Sequence, residues 1–292
     1  MINNIKDTAL IFEGGGMRAS FSSGITNVLL ENNIYFDYVA GISAGSSCVV
    51  NYVSRDIERT KKSFVDFIND PNFAGLDQFL RGHGFFNSKY IYEESGLQNQ
   101  ALPFDFETFF TNPAKVRLGS FKVDTGKTVY FSKKDMKDDL DVMKMTRASS
   151  TIPIAMPTPN INGLEYLDGG LGFSGGIPID IALREGYKKF FIVLTREKDY
   201  KKEPMNNEML LKLHFRHQPK LLDAILTRHE RYNRTLKVIE QLEKEGKAIV
   251  VRPDLMMLDS MIIDYEKAEK TYYMGYIQGM RDLDKWKKFL FN

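Results

Sequence analysis

An α/β fold, a parallel sheet with helices on its faces, is predicted by three observations. Short apolar runs at Thr8 to Phe12 and Tyr38 to Ile42 read as buried strands. Each ends in a Gly- or Ser-centred turn, Gly14-Gly15-Gly16 and Gly41-Ile42-Ser43-Ala44-Gly45. Each turn is followed by a stretch of helical spacing, and strand–turn–helix repeated in that way argues for parallel strands joined by crossovers.

The elements follow in order. Met17 to Asn32 carries Phe21, Ile25, Val28 and Leu29 on one helical face and ends at Asn32-Asn33. Ala44 to Val53 reads as the second helix. Ile57 to Phe110 is rich in aromatics and broken by Pro71, Gly82, Gly84 and Pro103, with no clean period. It reads as helices and loops over one end of the sheet, and a lid is one use for it. Val116 to Val123 and Thr128 to Ser132 flank Asp124-Thr125-Gly126-Lys127 as a hairpin. Ala148 to Pro159 is a Ser/Thr/Pro-rich passage, and Leu164 to Leu167 is an apolar run leading into Asp168-Gly169-Gly170. A helix over Ile179 to Glu185 and a strand over Phe190 to Leu194 follow. Met205 to Glu245 is helical with a break at Pro219; Ala248 to Val251 is a last strand and Glu266 to Phe291 a terminal helix. Nothing marks an independent second domain. Residues 1–292 therefore read as one domain, with a motif core over 8–195 and a C-terminal helical region over 205–292 packed on it.

Composition narrows the function. A chain of 292 residues with 43% hydrophobic and 27% charged residues is long enough for a substantial core and ordinary for a globular protein. A net charge of +2 is too balanced to point to nucleic acid. The single cysteine, Cys48, excludes an internal disulfide and any multi-cysteine metal site. With no Cys/His cluster of ligand spacing and no acidic calcium loop, neither metal nor cofactor is expected. The start of the chain lacks a basic segment followed by a long apolar run, so no signal peptide is expected. The reading places the protein in the cytoplasm and leaves peripheral membrane contact open.

Gly41-Ile42-Ser43-Ala44-Gly45 fits G-x-S-x-G between a strand and a helix. There a serine sits on a sharp turn with its hydroxyl projecting at the end of the sheet, while Gly41 and Gly45 let strand and helix approach closely. The following helix aims its positive end at a developing alkoxide. The bland alternative is a Gly/Ser connector. Gly14-Gly15-Gly16-Met17-Arg18 presents backbone amides that suit an anion. That anion is either the oxyanion of acyl transfer or a pyrophosphate, since Gly14-x-Gly16-x-x-Ala19 also satisfies a dinucleotide fingerprint. The second reading needs an acid at the end of the next strand. Asp37 has the right spacing, but it precedes Tyr38-Val39-Ala40 and so lies at the wrong end; Ser43 occupies the right one. The pairing favours acyl transfer, with a nucleotide-binding module as the rival.

Asp168-Gly169-Gly170 alone is a common turn signal; its interest is that a serine nucleophile needs a base. Histidine is the usual one. The four histidines are His83, in a Gly-flanked loop, and His214, His217 and His229, along the polar helical region. None follows a strand as a triad histidine on this sheet would. Asp168 as direct base and Asp168 as orienter of a histidine both stay open. Arg18 is either a steadying or phosphate-meeting group or a surface ion pair. Ten basic residues against five acidic ones between Lys198 and Lys237 read first as a solvated helix face and second as a contact for an anionic membrane.

These motifs, in this order, resemble the patatin-like phospholipase family, here in a compact bacterial form. Further matches are Ala148-Ser149-Ser150 with Ile152-Pro153, and Gly126 with Val129-Tyr130-Phe131. The resemblance runs from Ala9 to Thr195 and more weakly beyond. It implies a three-layer α/β/α sandwich with a mostly parallel central sheet and hydrolysis of acyl esters on lipids, phospholipids or lysophospholipids first. It implies a Ser–Asp dyad of Ser43 and Asp168. It also implies an oxyanion hole from the glycine loop, Gly14 to Arg18, with the Ala44 amide. Neutral-lipid lipase, short-chain esterase and acyltransferase are alternatives on the same site. The family often has glycine where Ala19 stands.

Overall fold

The computed structural model describes residues 1–291; Asn292 lies outside the described residues. Eight strands form one sheet: β1 (Thr8–Phe12), β2 (Tyr38–Ile42), β3 (Lys115–Lys122), β4 (Lys127–Phe131), β5 (Asn160–Ile161), β6 (Leu164–Asp168), β7 (Lys189–Val193) and β8 (Ala248–Val251). Their spatial order is β5-β6-β3-β2-β1-β7-β8, with β4 paired to β3. The five strands from β3 to β8 through β1 run parallel, and β4, β5 and β6 are antiparallel additions on the β3 side.

Alternate side chains of the central strands point to opposite faces, and each face is covered by helices. On one face Leu10, Phe12, Val39, Leu118, Phe191 and Val251 pack against α1 (Ala19–Glu31), α2 (Ala44–Val53), α6 (Asp139–Ser150) and α11 (Tyr265–Phe291). On the other, Ala9, Ile11, Tyr38, Ala40 and Ile192 meet α7 (Ile179–Arg184) and α10 (Arg228–Lys244). The fold is thus the predicted α/β/α sandwich. Parallel central strands buried on both faces explain why their sequences are continuous apolar runs without alternation.

Some boundaries differ from the sequence reading. The first helix starts at Ala19 instead of Met17, because Gly16–Arg18 makes one 3-10 turn as the chain leaves the glycine loop. Ile57 to Phe110 resolves into α3 (Ile57–Phe64), α4 (Leu76–Leu80), a π-helical turn at Lys89–Glu94 and α5 (Phe106–Thr111). Elements of five to eight residues are too short to display a period. The 205–245 region breaks twice, into α8 (Glu208–His214), α9 (Pro219–Leu226) and α10. Pro219 takes the first turn of α9, where its missing N–H costs nothing.

The C-terminal elements pack into the sheet rather than beside it. β8 is hydrogen-bonded to β7 in parallel. α11 crosses α1 at backbone contact, and its Trp286 ring meets Phe191 edge-on at 5.0 Å. No described helix is long and apolar enough to cross a membrane.

The α1–α11 crossing generates a stability prediction. A Cβ on Gly275 would lie 2.2 Å from the Phe21 carbonyl oxygen, whereas one on Gly279 would meet only side-chain atoms of Val28 and Trp286, at 3.0 and 3.1 Å. Alanine gains about 1 kcal/mol over glycine from helix propensity, but a backbone clash costs about 1–3 kcal/mol. Gly275→Ala should therefore lower the denaturant midpoint clearly and Gly279→Ala should leave it almost unchanged. Equal midpoints for the two variants would show that the helices can separate without cost.

Candidate active site

β2 ends at Ile42, and Ser43 occupies the turn into α2 with φ 56° and ψ −132°. That is a left-handed backbone for a residue with a side chain, and such strain persists only where the surroundings enforce it. They do: a Cβ on Gly41 would lie 2.2 Å from the Gly45 carbonyl oxygen, and one on Gly45 would lie 2.5 Å from that of Phe12. The turn is thus pressed between the ends of β1 and β2. Its backbone is pinned from a third side, since the Ser43 N–H donates to Ser149 O at 3.1 Å and to Ser149 Oγ at 3.0 Å. The Ser149 hydroxyl in turn donates to Gly119 O at 2.6 Å. The first turn of α2 is closed by Ser46, whose N–H and Oγ both donate to Ser43 O.

Asp168 ends β6, opposite Ser120 of β3. Its N–H donates to Thr151 O at 2.8 Å, and its Oδ1 accepts the Gly170 N–H at 2.7 Å. Gly169 must pass hard against β3, because a Cβ there would lie 2.1 Å from Gly119 O. That close passage brings the buried Asp168 carboxylate beside the Ser43 hydroxyl. Burial raises the carboxyl pKa above its usual value, while the nearby Arg228 guanidinium, the Ser43 hydroxyl and the Gly170 N–H pull it back.

No histidine bonds to Ser43 or Asp168 among the described residues. His83 Nδ1 contacts Gln78 Oε1 at 3.0 Å, His229 Nδ1 contacts Leu226 O at 2.9 Å, and His217 Nε2 accepts from Arg216. His214 lies against the Phe215 ring.

The glycine loop connects β1 to the 3-10 turn beside this pair. A Cβ on Gly14 would lie 2.9 Å from the Ser43 Cβ. Three of its amides already have acceptors: Gly14 N–H donates to Gly176 O, Met17 N–H to Ser260 O and Arg18 N–H to Gly15 O. The N–H groups of Gly15, Gly16 and Ala44 have no acceptor among the described residues. These three, out of the six positions from Gly14 to Arg18 and Ala44, can receive an oxyanion. Glu13 anchors the loop from behind; its carboxylate accepts the Thr195 N–H at 2.5 Å and the Tyr232 hydroxyl at 2.7 Å. Arg18 is buried, and its Nε donates to Thr195 Oγ1 at 3.4 Å while its guanidinium pairs with Asp259 at 3.4 Å.

Ser43 and Ala44 open on a cavity of about 100 Å³ walled by Val50, Phe64, Phe67, Phe86, Leu102 and Met143. The aromatic-rich segment that has no readable period in sequence supplies the aromatic side chains of that wall. It is tied to α6 by the buried ion pair of Arg147 and Glu93 at 2.6 Å. That pair fixes the π-helical turn and so places Tyr92 in the cavity wall with Ser47 and Ser150. Tyr92, Arg228, Thr195 and Ser260 carry no local motif and were not found by sequence reasoning. Cys48 is buried in α2.

Comparison with known proteins agrees with this geometry. A family model described as patatin-like phospholipase matches residues 10–183. A second, described as a domain of unknown function (DUF6363), matches 218–291. The chain is 27% identical over 192 residues to the uncharacterized protein YjjU of Escherichia coli K12, covering 64% of this chain and 51% of that one. It thus spans about half the length of that curated relative. Among solved structures, VipD from Legionella pneumophila aligns over 96% of this chain and 67% of its own, with a TM-score of 0.53 and 13% identity. That likeness is one of fold.

The Ser149 link can be tested alone. Ser149→Ala removes the hydroxyl acceptor for Ser43 N–H, leaving the Ser149 carbonyl, and removes the donor to Gly119 O; it should cost about 1 kcal/mol of stability, the usual net value of a hydrogen bond. Denaturant titration reads it as a lower midpoint at unchanged slope. An unshifted midpoint would mean that the two bonds contribute nothing to holding the turn.

Proposed function

This chain belongs to the patatin-like phospholipase family, and from that premise we propose that it hydrolyses acyl esters of lipids, phospholipids or lysophospholipids, with Ser43 as nucleophile and Asp168 as base. The observation that carries the reading is the placing of the Ser43 hydroxyl beside a buried carboxylate that bonds to no histidine.

Ser43 Oγ attacks the acyl carbon as its proton passes to Asp168. The carbonyl oxygen becomes an oxyanion facing the Gly15, Gly16 and Ala44 N–H groups, with the N-terminal end of α2 adding its dipole. Collapse expels the alcohol, which takes the proton back from Asp168 and leaves an acyl-serine. Water repeats the sequence and releases the fatty acid. A free aspartate is a weak base at neutral pH. Burial makes Asp168 a stronger one, and Arg228 opposes part of that rise. The apolar cavity beside Ser43 suits the acyl chain.

Ser43→Ala and Asp168→Asn should each lower turnover by at least about a thousandfold, as the loss of a nucleophile or its base does elsewhere. Each histidine variant, His83→Ala, His214→Ala, His217→Ala and His229→Ala, should retain substantial activity. One histidine variant as inactive as Ser43→Ala would replace the dyad with a triad.

The electrostatics give a pH prediction. Asp168 accepts a proton only when ionised, so labelling of Ser43 by a fluorophosphonate should be lost as pH falls through its folded pKa. Burial places that midpoint above the ordinary aspartate range. Arg228 draws the midpoint down; Arg228→Gln should therefore move the acid limb upward. A limb that stays fixed or moves down would remove Asp168 from the role of base.

A further inference from the structure

The wall of the cavity beside Ser43 is apolar over most of its length, but it carries one buried cation. Arg59, in the first turn of α3, lines it together with Ser43, Ser47 and Val50, and is only 8% exposed. Ser43, Ser47 and Val50 share one face of α2, so the cavity follows that helix away from the nucleophile. The Arg59 guanidinium donates through Nη1 to Asn51 Oδ1 and through Nε to Leu102 O at 3.3 Å, and it lies over the Phe104 ring at 4.8 Å. Asn51 stands just over two turns beyond Ser43, about 12 Å along the helix axis at about 1.5 Å per residue. The charge therefore sits at the end of the cavity remote from the reacting hydroxyl.

The protein leaves this guanidinium incompletely satisfied. Its Nη2 has no acceptor among the described residues, and no described carboxylate forms an ion pair with it. The carboxylate whose field reaches it is Asp56, but that side chain caps α3 and accepts the Arg59 backbone N–H at 2.8 Å. Burial pulls the guanidinium down to about 10, and Asp56 offsets only part of that. Ser63, on the same stretch of wall, is already engaged: its hydroxyl donates to Arg59 O at 2.5 Å and accepts from the Asn51 amide at 2.7 Å.

An acyl chain that is apolar to its tip would leave the guanidinium desolvated beside it, which is costly. A carboxylate at the tip meets it instead with two oxygens, the arrangement that a guanidinium fork pairs best. We propose that Arg59 selects acyl chains ending in a carboxylate, so that the preferred substrates are half-esters of medium-length dicarboxylic acids. This rests on the hydrolase reading and deepens it by naming the acyl group. The methylenes run past Val50, Phe64 and Met143 between Ser43 and Arg59. Water adds across the acyl C–O bond, releasing the alcohol and the dicarboxylic acid, whose distal carboxylate takes no part in the reaction.

The full chain is assayed on two matched pairs of glycerol monoesters: hydrogen suberate against octanoate, and hydrogen glutarate against pentanoate. The kcat/KM should be at least about tenfold higher for hydrogen suberate than for octanoate, as one charge-assisted pair supports. The shorter pair should show no such preference, because its carboxylate stops short of Arg59. Arg59→Gln should cut the suberate preference at least severalfold and Arg59→Lys should keep part of it, with fluorophosphonate labelling of Ser43 showing that each variant is folded. Where a variant does not fold, the two substrate pairs decide on the unaltered chain. Equal turnover of hydrogen suberate and octanoate, or a preference that persists in Arg59→Gln, overturns the proposal and leaves the hydrolase reading standing. An equal preference for hydrogen glutarate does the same, since it would put the recognising charge near Ser43. No turnover of any ester, with no fluorophosphonate label on Ser43, overturns the hydrolase reading and this proposal with it.

Discussion

Everything at the site depends on how closely the ends of β1 and β2 approach the start of α2. The Ser43 turn is held in a left-handed conformation because there is no room for it to relax. Gly41 and Gly45 are in backbone contact, and Gly45 also abuts the carbonyl of Phe12 as β1 ends. The same crowding sets Gly14 against the Ser43 Cβ, and so brings the open amides of Gly15 and Gly16 to the same side as that of Ala44. Loosening the contact would misplace nucleophile and amides together, which makes the tight packing of backbones a condition of the chemistry.

A second constraint is dielectric. Asp168 reaches Ser43 by leaving β6 over Gly119, and it is buried as it does so. An isolated buried carboxylate would take up a proton and cease to be a base. Three groups oppose that: Arg228 through its field, the Gly170 N–H through a hydrogen bond, and the neighbouring Ser43 hydroxyl. The result is a carboxyl group more basic than a free aspartate. One arginine from a distant helix therefore serves two ends, tuning Asp168 and adding to the positive potential beside it.

The parts of the structure legible in the sequence are those fixed by neighbours in the chain. The elbow, the glycine loop and the central strands each occupy a few consecutive residues, and their periods and glycines state what the backbone must do. Asp168 was weaker as a local signal, since Asp-Gly marks ordinary turns as well; the structure brings it to Ser43 through pairing of β6 with β3, some fifty residues away in sequence. Tyr92, Thr195, Arg228 and Ser260 reach the site by tertiary packing alone. Tyr92 rides on a π-helical turn fixed by the Arg147–Glu93 pair, and nothing in the local pattern of residues 89–94 marks it. The short helices between Ile57 and Phe110 were unreadable because each is under three turns.

That division has a consequence for where the site ends. The patatin-like match stops at residue 183, and what precedes that point contains Ser43, Asp168 and the open amides. Thr195 and Tyr232, which fix Glu13 behind the glycine loop, lie beyond it. So does Ser260, whose carbonyl takes the Met17 N–H and sits where a side chain on Gly16 would be. Arg228, the main opposing charge on Asp168, opens α10 within the second matched stretch. That stretch also supplies β8 to the sheet and α11 to the crossing over α1. The two matched stretches therefore share one core and one site. The first carries Ser43, Asp168 and the glycine loop; the second brings Arg228 toward Asp168 and Tyr232 and Ser260 to the glycine loop, while Thr195 lies between the two. A change of charge at Arg228, within the second stretch, would change how basic Asp168 is, with every residue of the first stretch left as it is.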